Sequence, residues 1–297
     1  MSFSRSFPVS LYDAIQRQPA VQKSLDFGNR ISINQLTTLR TSLEEDLQYY
    51  AALDVPAIGV SCRKLSGHAQ LRISRLFQQS QLQVSSLGWI GSFLGFNGHT
   101  RAETMREARK AIRLAPRIGA STITVLAGPQ AGHIDSHARR LVADSLRELI
   151  PFAHSSQVTL ALMPTHPRFS RDWSFLTQLD DVLSIIADVD HPRVRLGLST
   201  YHSWHEDRAL DRFHAVAANT ALVQVADWSR NTRCDNDRAM PGDGILPLKE
   251  MVAALESGGY RGWYELDVWS RRLWNQEPEE VLRRGKDAML ALEPGGA

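Results

Sequence analysis

Cysteine is scarce in this sequence of 297 residues. Only Cys62 and Cys234 occur, and they lie far apart along the chain. Two cysteines cannot build the disulfide framework of a small secreted domain, and their separation does not match a zinc-binding motif. We therefore expect two free thiols, as in proteins of a reducing compartment.

Long apolar runs are also missing. No stretch approaches the ~20 consecutive apolar residues that cross a bilayer. The N-terminal run MSFSRSFPVSLYDAIQRQ lacks the apolar core and the cleavage site of a signal peptide. These absences predict a cytoplasmic protein with no membrane partner.

Neither sign of charge predominates. The chain has 34 Lys and Arg residues against 32 Asp and Glu residues, for a net charge of +2. The arginines are scattered and form no dense basic block, so we expect no nucleic-acid partner. A small-molecule substrate is the partner that remains, and the sequence leaves a homodimer open.

Most of the chain alternates between short apolar runs and longer segments with helical periodicity. Eight such pairs occur between residues 30 and 292, and their apolar runs resemble parallel strands that are buried on both faces. The pattern predicts an α/β fold, a single-domain (β/α)8 TIM barrel over residues 30–297, after an N-terminal extension at residues 1–29. A doubly wound open sheet is the alternative, but NQLTTLRTS, after the first strand, has no glycine for a phosphate-binding turn.

Two local patterns predict individual helices. Ser42 is followed three residues later by Glu45, which is a capping-box spacing, so a helix is expected to begin at Leu43. Within the extension, residues 8–18 are expected to form one short helix. The first strand is expected to span residues 31–39.

Catalytic side chains in barrels of this kind come from the C-terminal ends of the strands and from the loops that follow them. Polar and aromatic residues that the sequence places there are our candidates for the functional site. They are Asn34, Trp89, His166, Tyr201, His202, Trp204, Gln224, Asp227, Trp228, Arg238 and Asp267.

Several motifs at these strand ends resemble one family. The runs LALMPTHP, LSTYHSW, VQVADW, RAMPGDG and GYRGWYELDVWS have the order and spacing found in the xylose isomerase-like barrels, the sugar phosphate isomerase/epimerase family. The resemblance extends over residues 30–292. It implies an enzyme that transfers a proton next to a carbonyl on a small polyhydroxylated or keto substrate.

The same resemblance implies a Mn²⁺ or Mg²⁺ ion at the barrel mouth, held by side chains that end strands five to eight. Those positions are Met163, Ser199, Gln224 and Asp267 in this chain, where the family has Glu, Asp, His or Gln, and Glu. A thioether is a poor ligand for hard cations, and one carboxylate remains of the usual three. We therefore predict no tightly bound metal, with a weakly bound Mn²⁺ or Mg²⁺ at Gln224 and Asp267 as the alternative.

Three of the candidates are predicted to be catalytic. Asp267 and His202 are expected to act as base and acid, while His166 is expected to contact the substrate and, with Arg238, to stabilise the enolate in place of the metal. The other candidates are expected to bind substrate. For Asp267 the alternative is a salt bridge to Arg238, and for Asp227 it is a brace to an arginine.

Two other activities remain open at this stage. A lyase or dehydratase begins with the same proton abstraction. A non-catalytic barrel would bind a ligand at the mouth without catalysing a reaction. Related barrels that cleave DNA at abasic sites use a cluster of metals bound by many carboxylates and histidines, which this mouth lacks.

Overall fold

The computed structural model describes residues 26–95, 98–235 and 237–295. The helix predicted at residues 8–18 and most of the extension lie outside the described residues.

The described residues form a closed barrel of eight strands. Each strand pairs in parallel with the next, and the last pairs with the first through the register Ile33 to Leu266. The strands are β1 Ile31–Asn34, β2 Ala57–Ser61, β3 Gln83–Gly91, β4 Thr122–Leu126, β5 Thr159–Leu162, β6 Val194–Ser199, β7 Thr220–Val225 and β8 Tyr264–Leu266. This architecture confirms the predicted single (β/α)8 barrel.

Helices connect the strands around the outside of the barrel. In the described part of the chain they are α1 Leu43–Ala52, α2 Cys62–Leu65, α3 Gln70–Ser80, α4 Arg101–Leu114, α5 Asp135–Ser155, α6 Leu179–Val189, α7 Thr200–Ser203, α8 Ala209–Val216, α9 Leu248–Ser257 and α10 Pro278–Leu290. None of the described helices combines the length and the apolarity needed to cross a bilayer.

The first strand is shorter than predicted. It ends at Asn34, and Gln35–Thr38 form a turn of 3₁₀ helix instead of continuing the strand. The cause is local: the Asn34 side-chain oxygen accepts a hydrogen bond from the Leu36 backbone N–H at 2.9 Å, which turns the chain away from the sheet. The strand therefore ends on a polar side chain at the barrel mouth.

The predicted capping box begins α1. The Ser42 hydroxyl accepts from the Glu45 N–H at 3.2 Å, and the Glu45 carboxylate accepts from the Ser42 N–H at 2.7 Å. The two bonds satisfy two N–H groups at the helix start that have no partner within the helix. Leu43 and Leu47 of this helix are buried in the core and hold α1 against the barrel.

We expect Ser42→Ala to lower the free energy of unfolding by about 1 kcal/mol, because the first turn of α1 loses its cap. Ser42 is exposed, so its removal creates no cavity. Urea denaturation measures the change. Ser42→Asp, which can still accept from the Glu45 N–H, should stay within a few tenths of a kcal/mol of the original chain. Equal losses for the two variants would contradict the capping role.

Candidate active site at the barrel mouth

Side chains at the C-terminal ends of the strands enclose a cavity of about 40 Å³. Over half of the residues predicted from the sequence line it. They are Asn34, Trp89, His202, Gln224, Arg238 and Asp267. The structure therefore brings together residues from β1, β3, β7 and from the segments that follow β6, β7 and β8.

Arg238 is the central charge of the site and is only 3% exposed. Its Nη1 donates to Asp267 Oδ2 at 2.8 Å, and its Nη2 donates to both carboxylate oxygens of Asp235 at 3.0 Å. The guanidinium also lies between two aromatic rings, 4.7 Å from the centroid of Tyr201 and 4.4 Å from that of Trp269. Two carboxylates and two rings thus hold one cation in place.

Asp267 is buried, and both of its carboxylate oxygens accept hydrogen bonds. Oδ2 accepts from Arg238, and Oδ1 accepts from the Trp269 indole N–H at 2.6 Å. Burial raises the pKa of Asp267 to about 6, although Arg238 acts in the opposite direction. A carboxyl group with this pKa exchanges protons readily near neutral pH.

His202 is buried beside Arg238 and is uncharged. Burial, together with the Arg238 charge, holds the pKa of this imidazole well below its usual value. Its Nδ1 faces the His166 backbone N–H at 3.2 Å, and its Nε2 faces Arg238 Nη2 at 3.3 Å. A neutral imidazole accepts at one nitrogen and donates at the other. If Nδ1 accepts from His166, then His202 Nε2–H and Arg238 Nη2–H are two donors side by side at the cavity.

Glu265 is a second carboxylate of the barrel interior that the sequence prediction missed. Its Oε1 accepts from Asn34 Nδ2 at 2.8 Å and from Gln224 Nε2 at 3.0 Å. Its Oε2 accepts from the hydroxyls of Ser85 and Ser86 at 2.7 and 2.6 Å.

Asn34 and Gln224 therefore direct their amide groups to Glu265. The sequence did contain a signal for Glu265, because residues two apart on a strand point to the same face, and Glu265 precedes the predicted Asp267 by two.

A glycine faces the Glu265 carboxylate. A Cβ added at Gly59 would lie 2.4 Å from Glu265 Oε2.

Asp227 lies outside the lining of this cavity, and its role in substrate binding stays a prediction. Its carboxylate accepts four backbone N–H groups, from Trp228, Gly242, Gly244 and Leu246, at 2.8 to 3.1 Å. It shapes the turn at 241–244, and the predicted alternative of an arginine partner is wrong. Gly244 leaves room for this arrangement, since a Cβ there would lie 2.2 Å from Asp227 Oδ1.

His166 also lies outside the cavity lining. Its ring packs 4.7 Å from the centroid of Trp228, 4.6 Å from that of His205 and 6.0 Å from that of Trp204. Burial lowers the pKa of His166 to about 4, and the neighbouring His205 adds to this effect. The His166 side chain thus packs among aromatic rings while its backbone N–H reaches His202, and its contact with substrate stays a prediction.

Tyr201, Trp204 and Trp228 were predicted as substrate-binding residues but also stand behind the cavity. Trp228 packs against the rings of Tyr201 and Trp204 at 4.7 and 5.3 Å, while Tyr201 contacts Arg238. Three other residues form the aromatic wall of the cavity: Trp89, Trp173 and Trp269. The ring centroid of Trp89 lies 5.2 Å from that of Trp173 and 5.5 Å from that of Trp269. Trp173 was not predicted, because a loop residue outside the motifs carries no sequence sign that it folds inwards. Trp269 was also missed, although it belongs to the motif GYRGWYELDVWS and follows Asp267 by two residues.

The four positions that the family resemblance assigns to a metal do not fit a divalent cation. Met163 offers a thioether, and Ser199 a buried hydroxyl without a hydrogen-bond partner among the described residues. Gln224 is bonded to Glu265, and Asp267 is paired with the Arg238 guanidinium. The described residues contain no group of three or more His, Cys, Asp or Glu side chains arranged to hold a metal ion. Hard divalent cations need several oxygen ligands, which this set does not supply.

A closed parallel barrel with polar side chains gathered at the C-terminal mouth defines a (β/α)8-barrel protein whose site is at the strand ends. Residues 48–292 match the xylose isomerase-like TIM barrel family. The chain belongs to this family.

Its curated relatives are isomerases and epimerases. The inosose isomerase of Halalkalibacterium halodurans is 22% identical over 293 residues, covering 89% of this chain and 96% of that protein. The L-ribulose-5-phosphate 3-epimerase UlaE of Escherichia coli is 24% identical over 196 residues, covering 64% of each chain. The chain is accordingly an isomerase- or epimerase-like enzyme.

Solved structures share the fold. Protein SMc04130 from Sinorhizobium meliloti 1021 superposes with a TM-score of 0.83 at 22% identity, covering 90% of this chain and all of that one. The IolI protein with a bound zinc atom gives a TM-score of 0.76 at 18% identity, with 89% and 97% covered.

We expect the Trp269 indole signal in a ¹H–¹⁵N spectrum to titrate with a midpoint near pH 6, because its N–H donates to Asp267. Protonation of Asp267 below that pH weakens the charge-assisted bond and shifts the signal. Labelling the seven tryptophans with ¹⁵N and recording spectra from pH 4 to 8 measures the midpoint.

Trp269→Phe identifies the signal by its loss, and Asp267→Asn should leave the Trp269 signal without this transition. A midpoint near 4, the usual range of an aspartate, would show that burial does not control this carboxyl group.

Proposed function

We propose that this chain is a metal-independent isomerase or epimerase that transfers a proton next to the carbonyl of a keto or polyhydroxylated substrate. One observation carries the proposal. In a single buried cavity, a carboxyl group whose pKa is raised to about 6, that of Asp267, lies beside the adjacent donors Arg238 Nη2 and His202 Nε2.

Asp267 is the proton-transfer group in this proposal. As a carboxylate it takes the proton from the carbon next to the carbonyl, and the electrons of the broken C–H bond move to the carbonyl oxygen as an enolate. Return of that proton to the former carbonyl carbon, while the hydroxyl proton of the deprotonated carbon passes to the former carbonyl oxygen, gives an isomer. Delivery of a proton by water to the opposite face of the enolate gives an epimer, and Asp267 then releases its own proton to water. The raised pKa suits both steps, because the same group accepts and releases the proton near neutral pH.

Arg238 and neutral His202 stabilise the enolate oxygen. The Arg238 guanidinium donates to oxygens of Asp235 and Asp267, and its longest contact is the one between Nη2 and His202 Nε2 at 3.3 Å. When His202 Nδ1 accepts from the His166 N–H, His202 Nε2 carries a hydrogen. Two donors, Nε2–H and Arg238 Nη2–H, then face each other in this contact. A substrate oxygen between the two N–H groups would accept from both and relieve this mismatch. His202 thus acts as a donor instead of the acid expected from the sequence.

The fixed guanidinium takes over the electrostatic part that a metal plays in the family. The guanidinium lies next to the proposed base, Asp267. The carboxylates of Asp235 and Asp267 balance its positive charge before the reaction. Gln224 reaches the cavity from β7 and contacts substrate there, and Trp89 forms one wall. This division of labour is consistent with the absence of a fitting ligand set at Met163 and Ser199.

The test is deuterium exchange. We expect the protein, incubated in D₂O with a panel of keto-sugars and inososes, to incorporate deuterium at the carbon next to the carbonyl, observed by NMR. Asp267→Asn should slow exchange by about 10²–10⁴-fold. His202→Ala, which removes one donor to the oxygen, should slow it by about 10²–10³-fold.

His166→Ala is the matched control for His202→Ala, since it removes an imidazole that lies outside the cavity lining and keeps the backbone N–H. Its exchange rate should stay within a few-fold of the original chain. Exchange that survives both cavity substitutions would refute the proposed roles, and loss of water from the substrate during exchange would identify a lyase instead.

Metal content gives an independent check. We expect protein purified without chelators to contain substoichiometric zinc, manganese and magnesium by mass spectrometry, and we expect EDTA to leave exchange unchanged. The reason is that the four inherited ligand positions supply one carboxylate, which is already paired with Arg238. One equivalent of metal, lost on Asp267→Asn, would overturn metal independence.

A further inference from the structure

A second cavity adjoins the mouth cavity and is much larger. It has a volume of about 570 Å³, against about 40 Å³ at the mouth. It lies beside the C-terminal end of β3, between the α2–α3 segment and α4, and we call it the side groove. Leu65, Ile73, Ile90, Ala108 and Ala111 contribute to its lining.

Trp89 and Trp173 line both cavities. Their rings meet edge to face, with centroids 5.2 Å apart, and both side chains are half-buried. The two indoles therefore form the partition between the reacting groups and the side groove. Trp173 belongs to the loop after β5, and its indole also packs edge to face on Trp269, with centroids 5.3 Å apart.

The two volumes differ in what they can hold. A cavity of about 40 Å³ accommodates a few water molecules at ~10–15 Å³ each. Pockets that bind small organic ligands measure roughly 300–1,000 Å³, a range that includes the side groove and not the mouth cavity. The mouth cavity by itself thus accommodates the reacting atoms and little else of a substrate.

We infer that the side groove binds the non-reacting part of an extended substrate, whose reacting end passes Trp89 and Trp173 to reach Asp267 and Arg238. The inference rests on the proposed reaction at Asp267. The expected substrate is then a sugar that carries a second group, such as a glycoside, and not a free small sugar.

The chemistry of the groove selects an uncharged, partly apolar second group. Its floor is aliphatic, and the two indole faces suit a flat ring or the apolar face of a sugar. Lys110 is the lysine of its lining, and it is paired with Glu107 at 2.8 Å. Glu103 caps α4 through Thr100. Among the described residues, this lining contains no lysine or arginine other than the paired Lys110 to hold a phosphate, so the chemistry favours a neutral aglycone over a phosphorylated tail.

The experiment compares free sugars with 4-nitrophenyl glycosides of the same sugars. Binding to the full chain is measured by isothermal titration calorimetry, without any need for turnover. We expect the glycosides to bind at least about tenfold more tightly than the free sugars, since the aryl ring removes apolar surface from water in the groove. Equal affinities, or no glycoside binding, would overturn the inference.

Two substitutions on α4 separate the groove from the surface around it. Glu107→Trp places an indole in the groove lining and should abolish the advantage of the glycosides while leaving the affinity for free sugars unchanged. Arg106→Trp adds the same side chain to an exposed neighbouring position outside the lining and should keep the advantage. A loss in both variants, or in neither, would contradict the assignment.

The outcome is independent of the deuterium-exchange experiment. Suppose that Glu107→Trp abolishes the advantage of the glycosides and that the original chain shows no deuterium exchange. This outcome would refute the proposed reaction and leave the groove as a binding site. Exchange with free sugars, together with equal affinities for sugar and glycoside, would refute only the groove.

Discussion

The ion pair between Arg238 and Asp267 is the interaction on which the mouth of this barrel depends. A buried guanidinium is costly unless its charge is balanced and its N–H groups find partners, and here two carboxylates and two aromatic rings contact it. The loop after β7 is also tied to the segment after β8, since the Arg238 backbone N–H donates to the Trp269 carbonyl at 3.0 Å. Removal of Arg238 would leave the carboxylates of Asp235 and Asp267 buried without their cation.

The acidity of Asp267 is a balance of neighbours that come from different parts of the chain. Burial and the nearby Glu265 raise its pKa, while Arg238 and the Trp269 N–H lower it. Because these effects oppose one another, the group remains titratable near neutral pH instead of being locked as a carboxylate. This balance depends on the barrel being closed, with β8 next to β1 and β7.

Within its family this chain combines an inherited scaffold with a changed centre. The barrel, the strand-end motifs and the position of the mouth are those of the xylose isomerase-like proteins. At the ends of β5 and β6, Met163 and Ser199 take away the ligands that a hard cation requires, and the guanidinium supplies a permanent positive charge beside the remaining carboxylate. The side groove beyond Trp89 and Trp173, at about 570 Å³, is far larger than the mouth cavity of about 40 Å³.

The sequence by itself determined the barrel and its family and predicted six of the residues that line the mouth cavity, because buried parallel strands and strand-end motifs consist of local patterns of a few residues. It could not identify Asp235 and Trp173 as site residues, since their contacts depend on how loops close over the mouth. It could not show the partners of Asp227, because they are backbone N–H groups, which every residue except proline carries and which leave no trace in a sequence. The charge balance of the site depends on which charged side chains meet, and only the tertiary structure decided that. It pairs Arg238 with Asp267 and places Glu265 next to Gln224 of the same cavity.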